Sequence, residues 1–322
     1  MNVFQAAAGF ACIMMPVTVA AQTPAPGAPA ANPSVEQVAI GAPGDQMALV
    51  IWRPEGPPPA STRLPLVVIS HGTGGGPLGH VDTAEALARA GFVVAAPMHR
   101  GDNFQDESIV GRPQWMASRS RDVSNSIDYM LHEWSGREQL DSKRVGVFGF
   151  SAGGTTALIS AGGVPDLRRL APHCAAQREF VCNIVASMGL TAAPAPRLTH
   201  DSRIAAAVVA APGLGFLFEP TGLEAVRVPV QLWAGSEDEV VPYATNAGVV
   251  RRLLPSTTDF HTAEGAVHLS FLAPCTAETP PMLCRDRDGF DRSAFHRSFN
   301  EAVTAFFRQH LVGPRAPARG AR

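Results

Sequence analysis

The pentapeptide Gly149-Phe150-Ser151-Ala152-Gly153 constrains this chain more than any other segment. It follows the apolar run Arg144–Phe148 and precedes Thr155–Ile159, which continues as a helix. G-x-S-x-G between a strand and a helix is a nucleophile-elbow pattern. The turn strains the serine backbone, and the positions two before and two after it must be small to avoid neighbouring strands and the helix. Such a turn lifts a serine Oγ clear of the sheet edge. The competing reading is a glycine-rich turn capped by serine, so the residues around it decide.

The remaining pattern alternates strand and helix. An opening hairpin is predicted over Val35–Ile40 and Met47–Trp52, around residues 41–45. Leu64–Ser70, Phe92–Pro97, Arg144–Phe150, Ile204–Ala210 and Val228–Ala234 are unbroken apolar runs, as strands buried on both faces are. Thr257–Glu264 reads as a last strand, and helices are expected at Thr83–Ala90, Met116–Trp134, Tyr243–Leu254 and Phe295–Leu311. This order implies an α/β fold, a mostly parallel central sheet with helices on both faces. There is no internal repeat, no P-loop, and no glycine-rich dinucleotide loop after the first strand.

A serine elbow needs an orienting acid, a base and an oxyanion site, with the acid and the base following the serine in that order. Asp238 lies three residues past Gly235, at the end of an apolar strand. Glu237 and Glu239 compete, but the Gly-x-x-Asp-x-x-Val-Pro spacing favours Asp238. His268, after the last strand, is the expected base; His261 falls inside that strand, and His296 and His310 fall in the closing helix. For the oxyanion, one backbone N–H is expected from Ala152 and one from Thr73, in Ser70-His71-Gly72-Thr73-Gly74-Gly75-Gly76. No Lys-Ser/Thr follows this loop, which argues against a phosphate cradle.

The ends and the cysteines bear on compartment. Residues 1–21 read as a signal peptide cut after about Ala21, although no Lys or Arg precedes Arg53. Residues 22–34 are a Pro/Ala linker, 35–312 the folded domain, and 313–322 a tail expected to be disordered. Cys174, Cys182, Cys275 and Cys284 form two local pairs, and 174–182 with 275–284 is the simplest of the three possible pairings. Both segments read as loops, and residues 162–203 as an insertion, a possible stapled flap over the site. These features point to a periplasmic or secreted protein without stable membrane insertion after cleavage. Cysteine spacing gives no metal site. With 26 basic and 28 acidic side chains, the net charge of −2 gives no argument for nucleic acid.

Together, Ser70-His71-Gly72, the turn His99-Arg100-Gly101-Asp102-Asn103, the elbow and His268 resemble the α/β-hydrolase superfamily across about residues 45–311. The closer resemblance is to dienelactone-hydrolase-like proteins and platelet-activating-factor acetylhydrolases, with exported members nearest. It implies an α/β-hydrolase fold, no cofactor, and hydrolysis of a small-molecule ester or lactone through Ser151, His268 and Asp238. Dienelactone hydrolase itself has a cysteine nucleophile where this chain has Ser151, so that substrate does not carry over. A peptidase or acyltransferase would use the same triad; a non-catalytic binding protein on this scaffold typically lacks a triad member. Phe216 and Phe218 read equally as acyl pocket or core. His99 and Asp102, at a strand end, read equally as site border or turn support.

Overall fold

A computed structural model describes residues 32–56, 62–188 and 197–313. The expected signal peptide, the linker up to residue 31 and the tail beyond Gly313 lie outside them. Eight strands form one sheet in the order β1-β2-β4-β3-β5-β6-β7-β8. They are β1 (Ser34–Ile40), β2 (Met47–Arg53), β3 (Leu64–Ser70), β4 (Val93–Pro97), β5 (Leu140–Phe150), β6 (Ile204–Ala210), β7 (Val230–Gly235) and β8 (Asp259–Ala263). The β1–β2 and β2–β4 pairs are antiparallel, and every later pair is parallel.

Burial explains the order. β4 and β7 are buried at every residue, and β3 and β6 at nearly every residue, as strands covered on both faces must be. The edge strand β1 instead alternates exposed and half-buried positions. On one face pack α1 (Val81–Arg89) and α7 (Arg292–Phe307), with Leu87, Phe299, Val303 and Phe307 against Val67, Ile69 and Phe148. On the other lie α2 (Trp115–His132), α3 (Ala152–Ser160) and α6 (Ala247–Leu253), with Val123, Ile127, Leu158 and Val250 against Val68, Val147, Val209 and Leu232. All nine residues of α3 are buried, which is why its sequence lacks a polar stripe.

The insertion corrects the reading of its cysteine segment as loop. It carries two short helices, α4 (Leu170–Ala176) and α5 (Phe180–Met188), and Cys174 on the first is bonded to Cys182 on the second. The second pair, Cys275–Cys284, closes a loop before α7. The helix expected from Tyr243 starts at Ala247, because the N–H groups of Thr245 and Asn246 turn back to the Pro242 carbonyl.

Candidate active site

The elbow sits where β5 ends in the middle of the sheet. Ser151 has φ 56° and ψ −122°, a left-handed backbone that costs a non-glycine residue roughly 1–3 kcal/mol. A Cβ on Gly149 would run into the Gly153 carbonyl, and one on Gly153 into the carbonyls of Ser70 and His71. Packing between β3, β5 and α3 therefore demands both glycines. The strained residue is pinned by its own N–H, which donates to Ala210 O at 3.0 Å, and by its carbonyl, which accepts from Gly213 N at 3.0 Å.

His268 and Asp238 come from loops at the same end of the sheet. His268 Nδ1 donates to Asp238 Oδ2 at 2.8 Å, and Ser151 Oγ donates to His268 Nε2 at 2.9 Å. The carboxylate accepts only, so it fixes the tautomer and leaves Nε2 free to take the serine proton. Asp238 is itself aimed by the N–H groups of Val240 (3.0 Å) and Val241 (2.9 Å) on its other oxygen. Both Asp238 and His268 are buried, whereas the competing Glu237 and Glu239 are exposed and pair with Arg287. His261 stacks on Trp233 at 4.2 Å and pairs with Asp259, away from this cluster.

His268 opens a single turn, His268–Phe271. The Ser270 hydroxyl closes it by accepting from Val267 N at 3.1 Å, and it donates to Asp286 at 2.6 Å. Arg292 on α7 holds Asp286 through two bonds of 2.9 and 3.0 Å. Asp286 and Arg292, just past the loop closed by Cys275–Cys284, thus brace the turn that carries His268 through a chain of polar contacts.

Across the cavity, the loop that carries Thr73, expected to bind an oxyanion, is supported by a buried ion pair. Arg119 of α2 is fully buried; it binds the Asp102 carboxylate and the His71 carbonyl, and its Nε donates to Thr156 Oγ1 at 3.0 Å. Asp102 also accepts from Gly74 N at 2.8 Å and from the Trp115 indole. The loop over residues 71–74 is therefore gripped at both ends. Burial works to raise the Asp102 carboxyl, but the Arg119 charge and these hydrogen bonds outweigh it and hold it below the usual range. Burial, His99 and Arg119 push His71 well below its usual value, so it stays neutral, and Nδ1 donates to Gly72 O at 2.7 Å.

A cavity of about 250 Å³ opens on the cluster and is lined by Ser151, His268, Thr73, Ala152 and Trp115. Ala152 opens α3, so its N–H has no partner within the helix and lies at the positive end of the helix dipole. Three residues read equally as pocket or as structural support are not among the residues that line this cavity. Phe216 and Phe218 are core residues, Phe216 stacked on His173 at 3.5 Å. His99 is fully buried below β3, where Ser70 Oγ donates to it at 2.8 Å and it donates to Asp122. Asp102 is a loop support. Sequence reading missed Arg119, although it shares an apolar stripe with Met116 and Val123, where a charge needs a partner.

The profile of the dienelactone hydrolase family matches residues 51–311. The chain is 27% identical to the acylamino-acid-releasing enzyme of Homo sapiens over 235 residues, 69% of this chain and 30% of that one. It is 29% identical to the same enzyme of Rattus norvegicus over 209 residues, 61% of this chain and 27% of that one. The chain thus spans less than a third of the length of these curated relatives. A crystal structure of dienelactone hydrolase from Anabaena variabilis superposes with a TM-score of 0.53 at 17% identity, covering 87% of this chain and 99% of that one, a likeness of fold.

Proposed function

From the premise that the chain belongs to the dienelactone hydrolase family and is a hydrolase, we propose that it cleaves carboxylic esters through an acyl-enzyme on Ser151. The observation that carries this reading is the continuous relay Asp238–His268–Ser151, with links of 2.8 and 2.9 Å, beside a mostly apolar pocket. Ser151 Oγ attacks the ester carbonyl as its proton passes to His268 Nε2. Asp238 balances the imidazolium. The N–H groups of Thr73 and Ala152 receive the oxyanion. The C–O bond to the alcohol breaks, and the alkoxide leaves with the proton held by His268. Water then attacks the acyl carbon and gives its proton to His268. The carboxylic acid departs and Ser151 regains the proton.

The cysteines bear on the compartment. Two disulfides suit an oxidising environment, and no helix of the described residues is long and apolar enough to cross a membrane. With the apolar N-terminal stretch, these features support export to the periplasm or beyond.

The likeness to acylamino-acid-releasing enzymes favours a second reading, cleavage of an N-acyl amide by the same relay. An amine leaves more reluctantly than an alcohol, so the two readings separate kinetically. The test is turnover of p-nitrophenyl acetate against N-acetyl-alanine p-nitroanilide, by the protein and by Ser151→Ala. The ester reading expects ester turnover that the substitution lowers by about 10³-fold or more. Faster turnover of the anilide favours the amidase. Ester turnover that survives Ser151→Ala refutes both.

A further inference from the structure

The α4–α5 hairpin leaves the chain between α3 and β6 and adds little to the core: none of α4 is buried. It is nonetheless fastened at three points. The Cys174–Cys182 bond ties its two helices together. The His173 ring lies flat on Phe216, 3.5 Å between centroids and 4° between planes. Glu179, between the helices, is buried and accepts from Thr245 Oγ1 at 2.5 Å and Asn246 Nδ2 at 3.1 Å. Asn246 also accepts from Gly215 N at 3.0 Å, in the turn that carries Leu214. One side chain of the body thus holds both the hairpin and the turn that carries Leu214 of the pocket wall.

The consequence falls on the pocket. Phe180, Val181 and Ile184 of α5 line the cavity that holds Ser151, together with Leu214 and Val241 of the body. At 250 Å³ it lies below the usual range of sites for drug-sized ligands, ~300–1,000 Å³. Glu179 also borders this cavity, its carboxylate tied to Thr245, Asn246 and His173, and Phe180, Val181 and Ile184 make the rest of the hairpin's contribution to the wall apolar.

We infer that the stapled hairpin is the specificity wall of this site, admitting compact uncharged acyl groups and excluding long chains, with Glu179 as the positioning residue that sets its distance from Ser151. The inference rests on the ester reading above and names its substrate class. A wall in hydrophobic contact discriminates by ~10–200-fold per methylene that does not fit.

The experiment measures kcat/KM for p-nitrophenyl acetate, butyrate and octanoate in the full chain and in variants. The protein itself should prefer acetate and butyrate to octanoate by ~100-fold or more. Ile184→Ala should raise the octanoate-to-acetate ratio ~10-fold, and Ile184→Phe should lower the butyrate-to-acetate ratio. Glu179→Ala should relax the discrimination, and Glu179→Gln, which keeps an acceptor for Asn246, should restore most of it. A purely structural hairpin would lower all rates together or move both Ile184 variants in one direction, which overturns the inference. Octanoate turned over as well as acetate, with turnover lost in Ser151→Ala, overturns the wall and leaves the site standing. No turnover of any ester removes both.

Discussion

The nucleophile elbow and the α4–α5 hairpin face the same cavity from opposite constructions. The elbow is made by sterics in the centre of the sheet. Gly149 and Gly153 admit no side chain, α3 is buried throughout, and the strain at Ser151 is held by neighbours on β6 and its loop. The hairpin has two short helices, little buried surface, one crosslink and one latched carboxylate. The difference separates two tasks. Groups that must keep a fixed geometry for bond-making are built into the cooperative core. The groups argued to select the substrate stand on an element that can vary without unfolding the rest.

Three changes probe that separation, from the largest expected effect to the smallest. Arg119→Met strikes the core side. It leaves Asp102 buried without its partner, and losing one member of a buried pair costs about 3–5 kcal/mol. Denaturant unfolding should show that loss, and kcat should fall with it because the loop of Thr73 loses its grip on the His71 carbonyl. Unchanged stability would mean that the pair does not hold the oxyanion loop.

The second change is pH. His80 is buried against the rings of Phe148 and Phe150, and burial pushes its pKa down from 6.5 to about 4. Its folded-state pKa lies below the unfolded one, so the unfolded chain binds the extra proton between them. Stability from this group is complete above about pH 6.5, is lost progressively down to about pH 4, and then levels off, a total of about 3 kcal/mol. His80→Phe should flatten that part of the profile. An identical acid slope in the variant would assign the loss to other groups.

The third change is Cys174→Ser with Cys182→Ser. Opening a loop of this length, 8 residues apart in sequence, costs about 2.5 kcal/mol in the chain-entropy picture. It should loosen the hairpin and shift chain-length preference more than melting temperature. Global unfolding at the same step would erase the contrast between the two regions.

Legibility followed the same division. β3, β6 and the second half of β5 were readable because a strand covered on both faces is apolar at nearly every position; the first half of β5, with Asp141, Ser142 and Lys143, is polar and partly exposed and was not. Asp238 and His268 were readable from their order after the elbow and their places just past apolar runs. Arg119 and Asp102 were not: a single sequence shows a charge on a helix and a charge in a turn, and only folding brings them together across 17 residues. The Cys174–Cys182 staple was readable as a local pair, but the helices it joins were not, because at 7 and 9 residues they are too short to show a period against a Pro- and Ala-rich background. Phe216 could not be assigned because its ring is covered by His173, a contact made by the insertion itself.

The claim at the centre of this account is that Ser151 is acylated. Mixing the protein with p-nitrophenyl acetate, quenching in acid within the first turnover and mapping the peptides by mass spectrometry tests it directly. The account expects a burst of nitrophenolate and one acetyl group on the peptide that holds Ser151, absent in Ser151→Ala. Ester turnover with no acetyl-enzyme at any time, or with the acetyl group on another residue, would contradict it.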